Sequence, residues 1–436
     1  MEVREPSAKY LTRSRYKQTE VGVIPDDWKV KSLGNIFTFG GGLSASRAQL
    51  GDSGHCYLHY GDIHTSSKVY VDIDAQNVDL PKLDVRLGDV PSKSLLLDGD
   101  VVFVDASEDD DGASKHQVIR NPRNIPFISG LHTIVAKNKS DDLVNDYKCH
   151  CFHTRSIKKQ FLFYSVGTKV TGISKTNIGK ILLPIPPVAE QAAIAEALSD
   201  ADALIESLEQ FLAKKRQLKQ GAMQKLLTGK RRLPGFSGEW KVRRLDELGR
   251  WTGGMTPSMR NPDYWQAGTV PWISSGDVKS VRLHSTAFSV SEYAVKQKAT
   301  ILLPENSITV VTRSGILRKY LPVAMNMVPM AINQDIKALL PNRQVLPEFV
   351  LHSLSSNGNR ILARCLKSGT TVESIEFPWL KAFTIPMPQL PEQTAIAAIL
   401  SDMDAEIAAL EAKLSKTREL KQGMMQELLT GRIRLV

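Results

Sequence analysis

Residues 183–233 read LPIPPVAEQAAIAEALSDADALIESLEQFLAKKRQLKQGAMQKLLTGKRRL, and residues 385–435 read IPMPQLPEQTAIAAILSDMDAEIAALEAKLSKTRELKQGMMQELLTGRIRL. Set against each other at a shift of 202 positions, without a gap, 30 of the 51 residues are identical. Chance does not produce this, so the segment is duplicated. Each copy has the spacing of a long helix. Ile194, Leu198, Ala201, Ile205, Leu208 and Leu212 follow a four-three rhythm, and Ile396, Leu400, Met403, Ile407, Leu410 and Leu414 repeat it. The register shifts and then resumes at Leu218, Ala222 and Leu226, and at Leu420, Met424 and Leu428. Pro184, Pro186 and Pro187, with Pro386, Pro388 and Pro391, hold the helix starts near Glu190 and Glu392. Gly229 and Gly431 suit the stops. About 39 residues at about 1.5 Å each make a rod of roughly 58 Å.

Weaker echoes surround the copies. Trp28-Lys29-Val30 returns as Trp240-Lys241-Val242, Gly41-Gly42 as Gly253-Gly254, Gly61-Asp62-Ile63 as Gly276-Asp277-Val278, and Gly167-Thr168 as Gly369-Thr370. The chain therefore reads as a globular unit over 1–180, a repeated connector over 181–237, a second unit over 238–380 and a second connector over 381–436. The expected class is α+β: two mixed α/β units joined by two long antiparallel coiled-coil helices, with a pseudo-two-fold internal repeat. The alternative is that each helix packs on its own unit. The valine-rich run Leu95 to Val104 and its counterpart Ile301 to Val311 read as strands. Tyr147 to Tyr164 and Phe349 to Leu366 carry helical periodicity.

Composition narrows the class. Of 436 residues, 42% are hydrophobic and 23% charged, ordinary for folded protein. No run approaches the roughly 18 apolar residues of a membrane span, and the first residues have no apolar core of a signal peptide. Four cysteines make no disulfide framework. The expected place is the cytoplasm. The net charge is +10, which favours a polyanion partner only weakly by itself. Its distribution is sharper: residues 238–380 carry 17 Lys and Arg against 11 Asp and Glu.

Catalytic signatures are missing. There is no phosphate-binding loop with lysine, no serine elbow, no helical zinc motif and no Asn-Pro-Pro-aromatic motif of an amino-methyltransferase. Gly40 to Gly42 lack the context of a dinucleotide site and read as a turn. Cys149, His150, Cys151 and His153 invite a metal, but the spacing is not a zinc finger's and the duplicate offers Leu351, His352 and Ser353. No metal site is expected. Glu108, Asp109, Asp110 and Asp111 read as a solvated acidic loop rather than a magnesium site. Binding remains. Arg260, Lys279, Arg282, Arg313, Arg318, Lys319, Arg364 and Lys367 in the second unit suit phosphate and base-edge contacts. The first unit offers Arg47, Lys115, His116, Lys169, Lys175 and Asn177. The repetition of Glu190 and Gln191 as Glu392 and Gln393 points to a partner that docks twice.

At the two connectors the sequence resembles the specificity subunits of type I restriction-modification systems. A proline-rich lead runs into Glu-Gln, then Ile, Leu-Ser-Asp and Leu-Leu-Thr-Gly in both Pro184 to Leu233 and Pro386 to Leu435. The openings Ile24-Pro25-Asp26-Asp27-Trp28 and Gly238-Glu239-Trp240 are similar to the family's domain starts. The resemblance implies that each unit is a target recognition domain reading one half of a split site in double-stranded DNA. It implies a helical ruler that docks two methyltransferase subunits, and restriction subunits reached through the complex. It implies that S-adenosylmethionine, ATP and Mg2+ serve those partners, while this chain binds no cofactor and catalyses nothing. Two rival readings are a metal-using nuclease built on the acidic cluster, and a DNA-binding scaffold without modification partners.

Overall fold

The computed structural model describes residues 15–66, 68–76, 79–107, 115–167, 170–367 and 372–435. The chain forms two compact units, Met1–Ser207 with Leu414–Val436, and Leu208–Lys413. Each long helix therefore contributes its two halves to different units.

In the first unit a five-stranded sheet is built from β1 (Phe37–Gly41), β2 (Tyr70–Asp72), β3 (Val101–Val104), β4 (His116–Arg120) and β5 (Thr133–Asn138), in the order β1-β5-β3-β4-β2. The second unit has β6 (Gly249–Gly253), β7 (Arg282–Leu283), β8 (Ile308–Val311), β9 (Val323–Asn326) and β10 (Ile336–Pro341), in the order β6-β10-β8-β9-β7. The order is the same strand for strand. In both sheets the central strand, β3 or β8, is buried along its whole length, which is why it is a continuous apolar run rather than an alternating one. A second, four-stranded sheet accompanies each.

Two antiparallel ribbons close the units. Lys29–Ser32 pairs with Leu182–Ile185, and Lys241–Arg244 with Thr384–Met387. The opening of each unit is thus tied to the strand that leads into its long helix. Those helices are α1 (Val188–Leu226) and α2 (Leu390–Leu428), 39 residues each. Beyond them Gly229 and Gly431 stand at φ 72° and 69°, the left-handed geometry that stops a helix where a side chain would be strained.

Within each unit the two half-helices run antiparallel. In the first, Lys421 pairs with Asp202 and Arg434 with Glu190. In the second, Lys219 pairs with Asp404, Lys215 with Glu406 at 2.6 Å, and Arg232 with Glu392. Both expectations for helix packing hold in part. Ile194 and Leu198 join the core of the first unit, where Leu428 and Leu429 also pack. Ile396 and Leu400 do the same in the second, with Leu226 and Leu227. The resumed seam needs correction: Leu218 and Leu420 are 52% and 63% exposed. Lys219 and Lys421, one residue on, take the inward position and meet Asp404 and Asp202. Among the described residues no helix is long and apolar enough to cross a membrane.

Candidate nucleic-acid interface

Glu190, Gln191, Glu392 and Gln393, expected to dock a partner, are 0%, 0%, 2% and 2% exposed. Each is consumed by the chain itself. Trp28 Nε1 donates to Glu190 Oε2 at 2.8 Å, and the Arg434 guanidinium grips both oxygens of that carboxylate, with Nη2 2.7 Å from Oε2. In the second unit Trp240 Nε1 donates to Glu392 at 3.0 Å, and Arg232 forks onto it through Nε at 2.6 Å and Nη2 at 2.7 Å. A planar guanidinium meeting a carboxylate on two bonds is a strong and geometrically demanding pair. The glutamines are struts. The Gln191 amide accepts from Val144 N at 2.9 Å and donates to Asp142 O and Pro186 O. Gln393 repeats this with Leu346, Gln344 and Pro388. A side chain with no exposed surface cannot meet a partner, so these four hold each long helix to its own unit.

The basic residues fall into two groups. In the second unit Arg313, Arg318, Lys319 and Lys367 come together at the loop after β8, and all are exposed. Backbone contacts set the frame: Arg313 bridges Ser374, Ser314 N donates to Glu373 O, and Lys367 N donates to Ser374 O. The side chain of Arg318 bonds Glu373, whose carboxyl is held below its usual range chiefly by that bond, and Lys367 lies 3.5 Å from Glu376. Four cations around two carboxylates leave an excess of positive charge. Arg260 and Lys279 are exposed elsewhere in the unit. Arg282 is half-buried and donates to Ser401 Oγ of α2 at 2.9 Å, which corrects its reading as a free phosphate contact. Arg364 lies over the Phe383 ring.

In the first unit the equivalent backbone pairing joins Ala106–Ser107 to Thr171–Gly172. Lys175 is exposed beside it, whereas Asn177 spends its amide on Tyr164 O at 3.1 Å. Lys169 and the acidic run Glu108 to Asp111 lie outside the described residues. His116 is a correction. It is 4% exposed on β4, with ring centroids 4.9 Å from Phe152 and 4.8 Å from His153, and is a core residue. Arg47 and Lys115 converge on the short helix Tyr60–Thr65: Arg47 Nη2 lies 3.2 Å from Asp62, and Lys115 Nζ donates to His64 O at 3.1 Å. Tyr60, His64 and His132 join them, with the Tyr60 ring 6.2 Å from His64 and 5.4 Å from His132. These three escape a reading of the sequence because His132 meets the Tyr60–Thr65 helix only through the fold, some seventy residues on.

Cys149, His150 and Cys151 are buried on the helix Asn145–Cys151, and His153 lies half-buried in the turn that follows it. Burial pushes the Cys149 thiol up to about 12 and the His150 imidazole down to about 3. His150 Nε2 sits 3.4 Å from Ser199 Oγ of α1, and His352 Nε2 sits 3.4 Å from Ser401 Oγ of α2.

Comparison with known proteins matches this frame. The sequence profile of the type I restriction modification DNA specificity domain covers residues 25–220 and 237–420. The chain belongs to that family. Over 184 residues it is 39% identical to the specificity subunit of the Escherichia coli type I restriction enzyme EcoR124I/EcoR124II, spanning 42% of this chain and 45% of that one. It thus spans less than half of that relative. Against the putative MjaX specificity subunit of Methanocaldococcus jannaschii it is 24% identical over 449 aligned residues, 98% of both chains. A type I system S subunit from M. genitalium superposes with a TM-score of 0.56 at 13% identity, covering 92% of this chain and 96% of that one. A chain from a type I R-M system solved for its assembly and conformational transition gives 0.52 at 17% identity, covering 94% and 99%. At these identities the structural likeness concerns the fold.

Proposed function

We propose that this chain is the DNA sequence-specificity subunit of a type I restriction-modification complex, with residues 1–180 and 238–380 each reading one half of an asymmetric split site. The observation that carries this is one frame used twice with different surfaces. Sheet order, ribbons and helix clamps repeat, while the loops after β3 and β8 carry unlike residues. Unlike readers on like frames suit two unlike half-sites. Arg313, Arg318, Lys319 and Lys367 supply the phosphate contacts of the second reader, with Arg260 and Lys279 as further cations. Lys175 supplies the phosphate contact of the first, with Lys169 beside it by sequence, and Arg47 and Lys115 also face the DNA there.

The chain itself supplies no catalytic group and no resident cofactor. Adenine methylation with S-adenosylmethionine belongs to two methyltransferase subunits, and ATP- and Mg2+-dependent translocation and cleavage to restriction subunits, all in the cytoplasm. Docking falls to the outward faces of the repeated helices, where Leu218 and Leu420 stand exposed at matched positions. The test is a chimaera in which residues 238–380 come from another family member, expressed with its methyltransferase subunits. Mapping of methylated adenine is expected to show one half of the motif replaced and the other kept. Simultaneous change of both halves, or no split motif in the parent, overturns the reading.

A further inference from the structure

The two units can be aligned bond by bond where the loops leave the sheets. Leu43 N donates to Ser129 O at 2.8 Å, as Met255 N does to Ile332 O at 3.0 Å. Val104 N donates to Lys115 O at 3.0 Å, as Val311 N does to Pro322 O at 3.1 Å. Asp105 N donates to His132 O at 3.1 Å, as Thr312 N does to Asp335 O at 2.8 Å. Leu58 pairs with Ser129 as Ile273 pairs with Ile332. These bonds fix the equivalences with no reference to side chains. They set Tyr60 against Ser275, Asp105 against Thr312, Lys115 against Pro322 and His132 against Asp335, and counting on from Leu43 and Met255 brings Arg47 to the place of Met259.

At all five positions the chemistry is changed, and at two of them the backbone changes too: His132 is left-handed where Asp335 is not, and Tyr60 opens a helix where Ser275 lies in a turn. Gly61-Asp62 beside them is kept as Gly276-Asp277. A cluster needed to fold the unit would have been kept with its frame. The first unit's set is also open to solvent: the side chains of Arg47 and His132 are 65% and 50% exposed. His132 holds φ at 58°, a left-handed backbone uncommon for a residue with a side chain. Two carboxylates border the set, Asp62 at 3.2 Å from Arg47 and Asp105 at 3.4 Å from the His132 ring. Carboxylates in the patch repel phosphate but accept from base amines. Arg, Lys, His and Tyr donors around an aromatic ring suit the mixed edges of bases in the major groove.

We propose that Arg47, Tyr60, His64, Lys115 and His132 form the base-reading surface of the first unit, and that the phosphate contacts of that unit lie elsewhere. This rests on the DNA-specificity reading above. The experiment uses the full chain co-expressed with its methyltransferase subunits, and methylated adenine is mapped in host DNA. The variants take the residues that the second unit carries on the same frame: Arg47→Met, and the pair Tyr60→Ser with His132→Asp. Removing a side chain that bonds a base edge lowers discrimination at that base pair by about tenfold or more. The expected result is therefore relaxed or altered sequence at one half-site, with the other half and the spacer unchanged. Co-purification with the methyltransferase subunits in the parent ratio is measured alongside. Variants that methylate the parent motif with both halves as stringent as before overturn the surface alone. Loss of methylation together with loss of assembly also counts against it, because the cluster is then structural. A parent with no split motif overturns the specificity reading itself.

Discussion

Replacing Arg434 with Ala tests whether the chain's last residues hold its first unit closed. Arg434 is 17% exposed at its side chain and binds Glu190, which is fully buried, on both oxygens. It also donates to Asp27 at 2.8 and 3.1 Å. Removing it leaves a buried carboxylate with Trp28 as its remaining donor. Breaking one side of a buried ion pair costs about 3–5 kcal/mol. The lower figure applies, because Trp28 stays and water enters on the exposed side at Asp27, where screening is strong. For a domain of about 150–250 residues each kcal/mol moves Tm by about 2–4 °C, so a fall of about 6–12 °C is expected. Calorimetry of the full chain reads this, and the low-temperature transition should belong to the first unit. Adding Glu190→Gln to Arg434→Ala should recover much of the loss, since the amide still accepts from Trp28 and carries no buried charge. Arg434→Lys should not recover it, for an ammonium cannot fork onto two oxygens. A shift under about 1 °C for Arg434→Ala, or no recovery with Glu190→Gln, would refute the argument.

Three further outcomes follow from the same geometry. Burial lowers His150 to about 3 and, against the pull of Asp404, His352 to about 4, from an ordinary 6.5; both are neutral when folded, so the unfolded chain binds more protons and stability falls as pH drops from about 6.5 towards 4. His352→Gln should flatten that slope in urea titrations at pH 7 and pH 5, and an unchanged slope would show that other groups carry it. Replacing Lys319 and Lys367 by Ala should reduce the salt dependence of DNA binding, log Kd against log salt, by about 1–2 units of slope, since each phosphate contact contributes about 0.9; an unaltered slope removes them from the interface. On the proposed two-copy docking, Leu218→Asp or Leu420→Asp alone should leave one methyltransferase copy per chain by native mass measurement, and two copies on the double variant would exclude these faces.

The helices were legible because their signals are local and periodic. Prolines, heptads and terminal glycines placed α1 and α2 to within about two residues of Val188–Leu226 and Leu390–Leu428. The strands were legible only at their cores. The run Leu95 to Val104 yields a strand over Val101–Val104 alone, because Gly99 stands at φ 76° and the Asp100 carboxylate accepts from Leu97 N at 2.8 Å, making a turn of residues 97–100. Ile301 to Val311 breaks likewise at Asn306, at φ 65°. Arg313, Arg318, Lys319 and Lys367 could be picked out from sequence, but their convergence depends on backbone pairing between residues 313 and 374. Tyr60 and His132 could not be found at all without strand register, since their meeting depends on Leu58 lying beside Ser129.

The repeat itself has two sources, and the clamps separate them. Each clamp takes its carboxylate from the start of one long helix and its guanidinium from the tail of the other: Glu392 with Arg232, 160 residues apart, and Glu190 with Arg434, 244 apart. A change in one copy of the repeat therefore damages a bond made with the other copy, and Glu190, Gln191, Glu392 and Gln393 are held alike by the chain's own packing. Their repetition carries no information about a partner. Leu218 and Leu420 are different, being identical, exposed and outside the clamps. The proposed docking falls on those outward leucines, and the buried glutamates belong to the fold.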